Sequence, residues 1–198
     1  MSQDATLETL TRRIENLEAA NAVRNVQMRY MFLCDTPCPE FGISSDAERI
    51  DRIMELFSEE AVWEGVGEYY DGQFGRAEGK AAVRRHFEGF WGGKTDPELI
   101  LNCHYVTSEQ INVAEDGQTA TGQWVHMQPW LFSDGKALLR SSRLFNAFKK
   151  CEDGQWRYTR NRTENVFIAP LPATWASLII DMFSPFAGLF MSWRSWLT

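Results

Sequence analysis

The sequence predicts an α+β fold in which N-terminal helices pack on one face of a curved antiparallel sheet. Three observations predict it. The first half of the 198 residues carries three stretches of helical periodicity. The second half is built of long segments in which apolar and polar residues alternate. Two acidic–glycine turns, Asp134-Gly135 and Asp153-Gly154, link those segments as hairpin turns do. Helices followed by a meander of long strands bury their apolar faces by stacking one layer on the other.

The first helix is expected over Thr6–Asp35. Leu7, Leu10, Ile14 and Leu17 recur at spacings of three and four, and after Ala19 the apolar pattern continues through Ala22, Val23, Val26, Tyr30 and Leu33. The first portion suits an arm gripping another subunit; the second must lie on a core. Pro37 and Pro39 cannot continue a helix. A second helix is expected from Asp46 to Phe57, with Ile50, Ile53, Met54 and Phe57 on one face. Ala61–Gly65 reads as a strand, residues 66–76 as a glycine-rich loop or hairpin, and Gly79 opens a third helix that ends near Gly92-Gly93.

Four strands follow, over Leu99–Asn112, Thr119–Phe132, Ala137–Lys149 and Trp156–Phe167. Alternation in the second of these places Ala120, Gly122, Trp124, His126 and Gln128 on one face. The chain divides into a body over 1–168 and an apolar helical extension over 169–198, read as a lid over a pocket mouth or as a subunit interface. Asp181, Ser184 and Pro185 interrupt the extension, so it lacks the run of about 20 apolar residues that spans a bilayer.

A formal net charge of −7 argues against nucleic acid and anionic membrane surfaces as partners. With 8 Trp and 13 Phe, the chain can fill a core and also wall a pocket for a flat apolar ligand. The four cysteines are irregularly spaced, and no His/carboxylate cluster has metal-ligand spacing, so no metal is expected. No glycine-rich phosphate loop follows a strand, and no organic cofactor is expected either. The N-terminal residues carry no secretory apolar region, which points to a cytoplasmic protein. The apolar stripe of the first helix and the aromatic tail point to a homo-oligomer, a dimer or trimer.

Trp63, Trp124, His126 and Gln128 are the candidate walls and polar contacts of a substrate pocket. Arg143 shares its parity with Phe145 and Ala147 and is expected to face inward, with Arg140 on the opposite face. Arg162 is a further substrate-binding candidate, although Arg160, Arg162 and Glu164 share one face and can equally pair across strands. His86, on an arginine-rich helix, is expected to face solvent.

Several local phrases, in order over residues 6–168, resemble the SnoaL-like (NTF2-like) family. They are Arg29-Tyr30-Met31-Phe32-Leu33-Cys34-Asp35, Leu56-Phe57-Ser58-Glu59-Glu60-Ala61-Val62-Trp63, Gly79-Lys80-Ala81-Ala82-Val83, His104-Tyr105-Val106-Thr107-Ser108-Glu109-Gln110-Ile111 and Thr119-Ala120-Thr121-Gly122-Gln123-Trp124. The resemblance implies a cone-shaped α+β barrel with a pocket at its open end. It is nearest to the dehydratase branch, which includes bile-acid 7α-dehydratase and scytalone dehydratase, and relatives of the fold include formaldehyde-releasing lyases of lignin-derived diaryl compounds. That branch uses a Tyr and an Asp at the end of the first helix and a His opening a central strand, which match Tyr30, Asp35 and His104. The loop Pro37–Ser45 and the long tail depart from the compact dehydratases, and an Arg expected late in the last strand has only Arg160 and Arg162 nearby.

These residues imply a cofactor-independent lyase removing water or formaldehyde from a hydrophobic aromatic or polycyclic alcohol. His104 would be the base, Asp35 its orienter and Tyr30 a hydrogen-bond donor. Histidine suits the task because it ordinarily titrates near neutral pH. An isomerase or cyclase needs the same base, and the fold also serves non-catalytic binding or assembly modules.

Overall fold

A computed structural model describes residues 3–175, apart from 39, 41, 68, 69, 71–73, 94 and 173. Helix α1 spans Gln3–Cys34, α2 Asp46–Glu55 and α3 Lys80–Trp91. Strands are β1 (Phe57–Val66), β2 (Arg76–Glu78), β3 (Leu99–Asn102), β4 (Tyr105–Val113), β5 (Thr119–Phe132), β6 (Ala137–Lys150) and β7 (Trp156–Pro170). Strand β7 ends three residues past the expected Phe167, and most of the expected C-terminal extension lies outside the described residues. No helix among the described residues is long and apolar enough to cross a membrane.

The strands form one curled sheet in the order β2-β1-β7-β6-β5-β3, with β4 also paired to β5. Both expected hairpins form. Asp134 Oδ1 accepts from the Lys136 N–H at 3.0 Å, and Asp153 Oδ1 accepts from the Gln155 N–H at 3.0 Å. Gly135 and Gly154 take the positive φ, 84° and 77°, that lets each turn close. The sheet is mixed rather than wholly antiparallel, because β1 pairs parallel with β7. No hairpin joins these two strands, so no tight turn dictates their direction.

Helix caps follow the sequence. Ser45 precedes α2 in an extended conformation and its hydroxyl accepts from the Glu48 N–H, while the Glu48 carboxylate reaches back to the Ser44 N–H at 3.0 Å. The core joins Val23, Tyr30 and Leu33 of α1, Ile50 and Ile53 of α2, and Val83 and Phe87 of α3 to aromatic rings of the sheet. Phe57 stacks on Tyr158 at 5.0 Å, and Phe148 lies 4.7 Å from the same ring. A polar contact pins α1 within this layer: buried Gln27 Oε1 accepts from Asn146 Nδ2 at 2.7 Å and from the Tyr158 hydroxyl at 2.8 Å.

Helix α1 carries two apolar faces. Leu7, Leu10, Ile14 and Leu17 are exposed, whereas Val23, Tyr30 and Leu33 are buried. At 3.6 residues per turn the two sets lie roughly half a turn apart, so the apolar pattern does not continue past Ala19 on the same side.

On β5 the even-numbered residues from Ala120 to Trp130 point inward. Trp124 shares that face but does not line the cavity that His126 and Gln128 enter. Its ring folds back over Gly122, where a Cβ would lie 2.1 Å from the indole, and only 2% of it is exposed. Its Nε1 donates to Glu109 at 3.2 Å. Strand alternation fixes the face of a residue but not its depth along the cone, which is why Trp124 falls in the core.

Candidate active site

The expected strand Leu99–Asn112 is broken after Asn102, and His104 sits in the break between β3 and β4. Just past the end of α1, Thr36 and Asn102 form an isolated antiparallel bridge with backbone hydrogen bonds of 2.8 and 2.9 Å. Asn102 Nδ2 also donates to the Cys34 carbonyl at 2.9 Å, satisfying an acceptor that the end of the helix leaves open. The helix end and the break are thereby fastened together, with Asp35 on one side and His104 on the other. Asp35 Oδ1 accepts the His104 backbone N–H at 2.9 Å and contacts His104 Nδ1 at 2.7 Å. A carboxylate on Nδ1 assigns the proton to that nitrogen and leaves Nε2 with its lone pair.

His104 lines a cavity of about 90 Å³. Its walls are Trp63, Phe74, Phe87, Phe90, Trp91 and Trp130, and its polar groups include Asn102, His126, Gln128 and Arg140. A cavity of about 150 Å³ takes up benzene, so this one is sized for a reacting group rather than for a whole ring. Gln128 Nε2 donates to Asn102 Oδ1 at 2.6 Å, which joins the cavity floor to the fastened helix end.

His126 is 4% exposed, neither ring nitrogen has a hydrogen-bond partner among the described residues, and its ring meets that of His104 edge-on at 5.5 Å. Burial, reinforced by the neighbouring His104 and Arg140 side chains, lowers its pKa to about 3, so it stays neutral. His86 also enters the cavity, against expectation. It stacks on Trp63 at 4.1 Å, and burial lowers its pKa to about 4. The signal was present in the spacing Val83, His86, Phe87, Phe90, which puts His86 on the apolar side of α3 despite the flanking arginines.

Tyr30 lines the same cavity without touching the His104–Asp35 pair. The Trp63 indole N–H donates to its hydroxyl at 2.9 Å, and burial raises its pKa well above the ordinary tyrosine value. Tyr30→Phe is therefore expected to strand the buried Trp63 N–H and cost about 1–3 kcal/mol. A thermal melt lower by several degrees with a normal circular dichroism spectrum checks this; an unchanged melt contradicts the bond.

The arginine expected to face inward is a different one. Arg143 is exposed, while Arg140 is 1% exposed and lines the cavity, its guanidinium 3.9 Å from the Trp130 ring centroid. The pairing of β5 with β6 gives the reason. Inward-facing Trp124, His126 and Gln128 stand opposite Leu144, Ser142 and Arg140, so the even residues of β6 point inward. Arg162 is likewise absent from the cavity lining. Its guanidinium is 3.8 Å from Glu64, a nearly buried carboxylate that Arg76 and Arg160 also contact.

A family model described as a SnoaL-like domain matches residues 15–162. No curated protein sequence matches the chain. Among solved structures, a provisionally named aromatic ring hydroxylase from Novosphingobium aromaticivorans aligns with a TM-score of 0.60 at 21% identity, over 78% of this chain and 94% of that one. A provisionally named scytalone dehydratase from the same organism gives 0.60 at 16% identity, over 81% and 92%. A type 2 hexachlorocyclohexane dehydrochlorinase gives 0.60 at 15% identity, over 81% and 93%. At these identities the likeness is one of fold.

Proposed function

The chain belongs to the SnoaL-like domain family, and from that membership we propose that it is a cofactor-independent lyase whose base is His104. The observation that carries the reading is the 2.7 Å contact of His104 Nδ1 with Asp35 at the wall of an aromatic cavity. Two proteins of similar fold are named for eliminations, of water and of hydrogen chloride respectively, and an elimination needs the parts found here.

His104 Nε2 takes a proton from the carbon next to the one bearing the hydroxyl. The C–H electron pair becomes the new C=C bond, the C–O bond breaks, and the departing hydroxide takes the proton now held by His104 and leaves as water, which restores the neutral imidazole. Asp35 holds the imidazole in one tautomer and stabilises the imidazolium. Neutral His126 and the protonated Tyr30 hydroxyl offer hydrogen bonds to substrate oxygens, and Arg140 places a positive charge near negative charge that develops on oxygen. Trp63 and Gln128 contribute wall and floor. Where a hydroxymethyl group lies beside the leaving hydroxyl, the base takes the hydroxymethyl O–H proton instead. The C–C pair then forms the alkene, and formaldehyde and water depart together. The aromatic walls favour an apolar group at the reacting end, with the remaining bulk of the substrate at the mouth.

Mass spectrometry of aromatic diols, diaryl propanes and hydroxysteroids incubated with the protein tests the reading. A product lighter by water, or by water and formaldehyde together, supports it and identifies what leaves. An isomer of unchanged mass would point to proton transfer beside a carbonyl, and no conversion of any compound to a non-catalytic module.

A further inference from the structure

The N-terminal half of α1 presents an apolar stripe that the molecule's own core does not cover, and we propose that it pairs with the same segment of a second copy as a short parallel coiled coil. Leu7, Leu10, Ile14 and Leu17 are 64, 48, 55 and 71% exposed. Their spacings of three, four and three place Leu7 and Ile14 at the first core position of a heptad, a, and Leu10 and Leu17 at the second, d. The next a position is Asn21, also exposed.

Three features select a second copy as the occupant. The first is the core pattern: a β-branched residue at a (Ile14) with leucines at d favours two strands, and a polar residue at one a position (Asn21) fixes register. The second is charge. In a parallel pair the flanking Arg13 (position g) meets the second copy's Glu18 (position e), twice by symmetry. An antiparallel pair that matches all four apolar layers sets Arg13 against Arg13 and Glu18 against Asp4, which like charges disfavour. The third is direction. The stripe lies roughly half a turn from the face that Val23 and Tyr30 bury, so two helices can meet back to back with their bodies on the outside. Two heptads make a small interface, which suits association in about the micromolar range.

Sedimentation of the full chain from about 1 to 100 μM tests this. A concentration-dependent monomer–dimer equilibrium is expected. Ile14→Glu should weaken it at least tenfold and Arg13→Glu about three- to tenfold, with recovery in the Arg13→Glu/Glu18→Arg double variant. Oxidised Leu10→Cys should crosslink to itself, because equivalent d positions face each other only in the parallel arrangement. Leu10, Arg13, Ile14 and Glu18 are all exposed, so each variant should keep the wild-type melting temperature at concentrations where both are monomeric. A wild type that stays monomeric overturns the proposal, whether or not another segment of the chain covers the stripe. So does an oligomer indifferent to Ile14→Glu, or a Leu10→Cys variant that does not crosslink.

Discussion

Replacing Asp35 by Asn is expected to lower kcat about 10²–10³-fold with little change in KM, and replacing it by Ala to lower kcat further. The difference follows from how the carboxylate is held. A single oxygen, Oδ1, receives both the His104 backbone N–H and Nδ1. In Asp35→Asn the amide oxygen keeps that place, because the amide nitrogen cannot accept the backbone N–H. The imidazole tautomer therefore survives and only the charge that stabilises the imidazolium is lost, a smaller effect than where an amide also inverts the tautomer. Asp35→Ala removes the orienting contact as well and frees the ring to turn. Steady-state kinetics on both variants checks the order; equal activities for the two would mean that Asp35 acts only as a structural cap.

Stability is expected to fall steeply as pH drops below neutrality. His126 and His86 are held neutral in the fold, with pKa values of about 3 and about 4, chiefly by burial. Unfolding returns both to the ordinary value near 6.5. Below that pH the unfolded chain binds protons that the folded chain refuses, so stability present above pH 6.5 is lost progressively down to pH 4 and then 3. At pH 5 the loss is about 2 kcal/mol for each histidine. Urea midpoints measured between pH 7.5 and 5 check this. His86→Phe, which keeps a ring against Trp63, should flatten the slope by about half, and a slope identical to that of wild type would show that His86 does not contribute.

Much of the fold was readable because local signals sufficed for it. Asp134-Gly135 and Asp153-Gly154 encode their turns directly, and the alternation of β5 identifies its inward face. Helix α1 ends where Pro37 requires, and the family phrases pointed to Asp35 and His104, residues 69 apart that share a hydrogen bond. What escaped the sequence depends on relations between elements. Parity within β6 looked favourable to Arg143, because Phe145 and Ala147 share it; only registration against β5 turns Arg140 inward. His86 was judged by its arginine neighbours, although the packing of α3 on the cavity decides its environment. The depth of Trp124 depends on the missing side chain of Gly122, and the half-turn between the two faces of α1 emerges only when residues beyond Ala19 are tracked around the helix.

The claim that His104 performs the chemistry is tested most directly by turnover of His104→Ala on whichever compound the wild type converts. The substitution removes the base while Asp35, the Thr36–Asn102 bridge and the aromatic walls remain, so the variant should fold and still bind the compound. A fall of at least about a hundredfold is expected, with the same product in any residual turnover. Equal turnover by the variant and the wild type would contradict base catalysis by His104 and transfer the search to another group in the cavity.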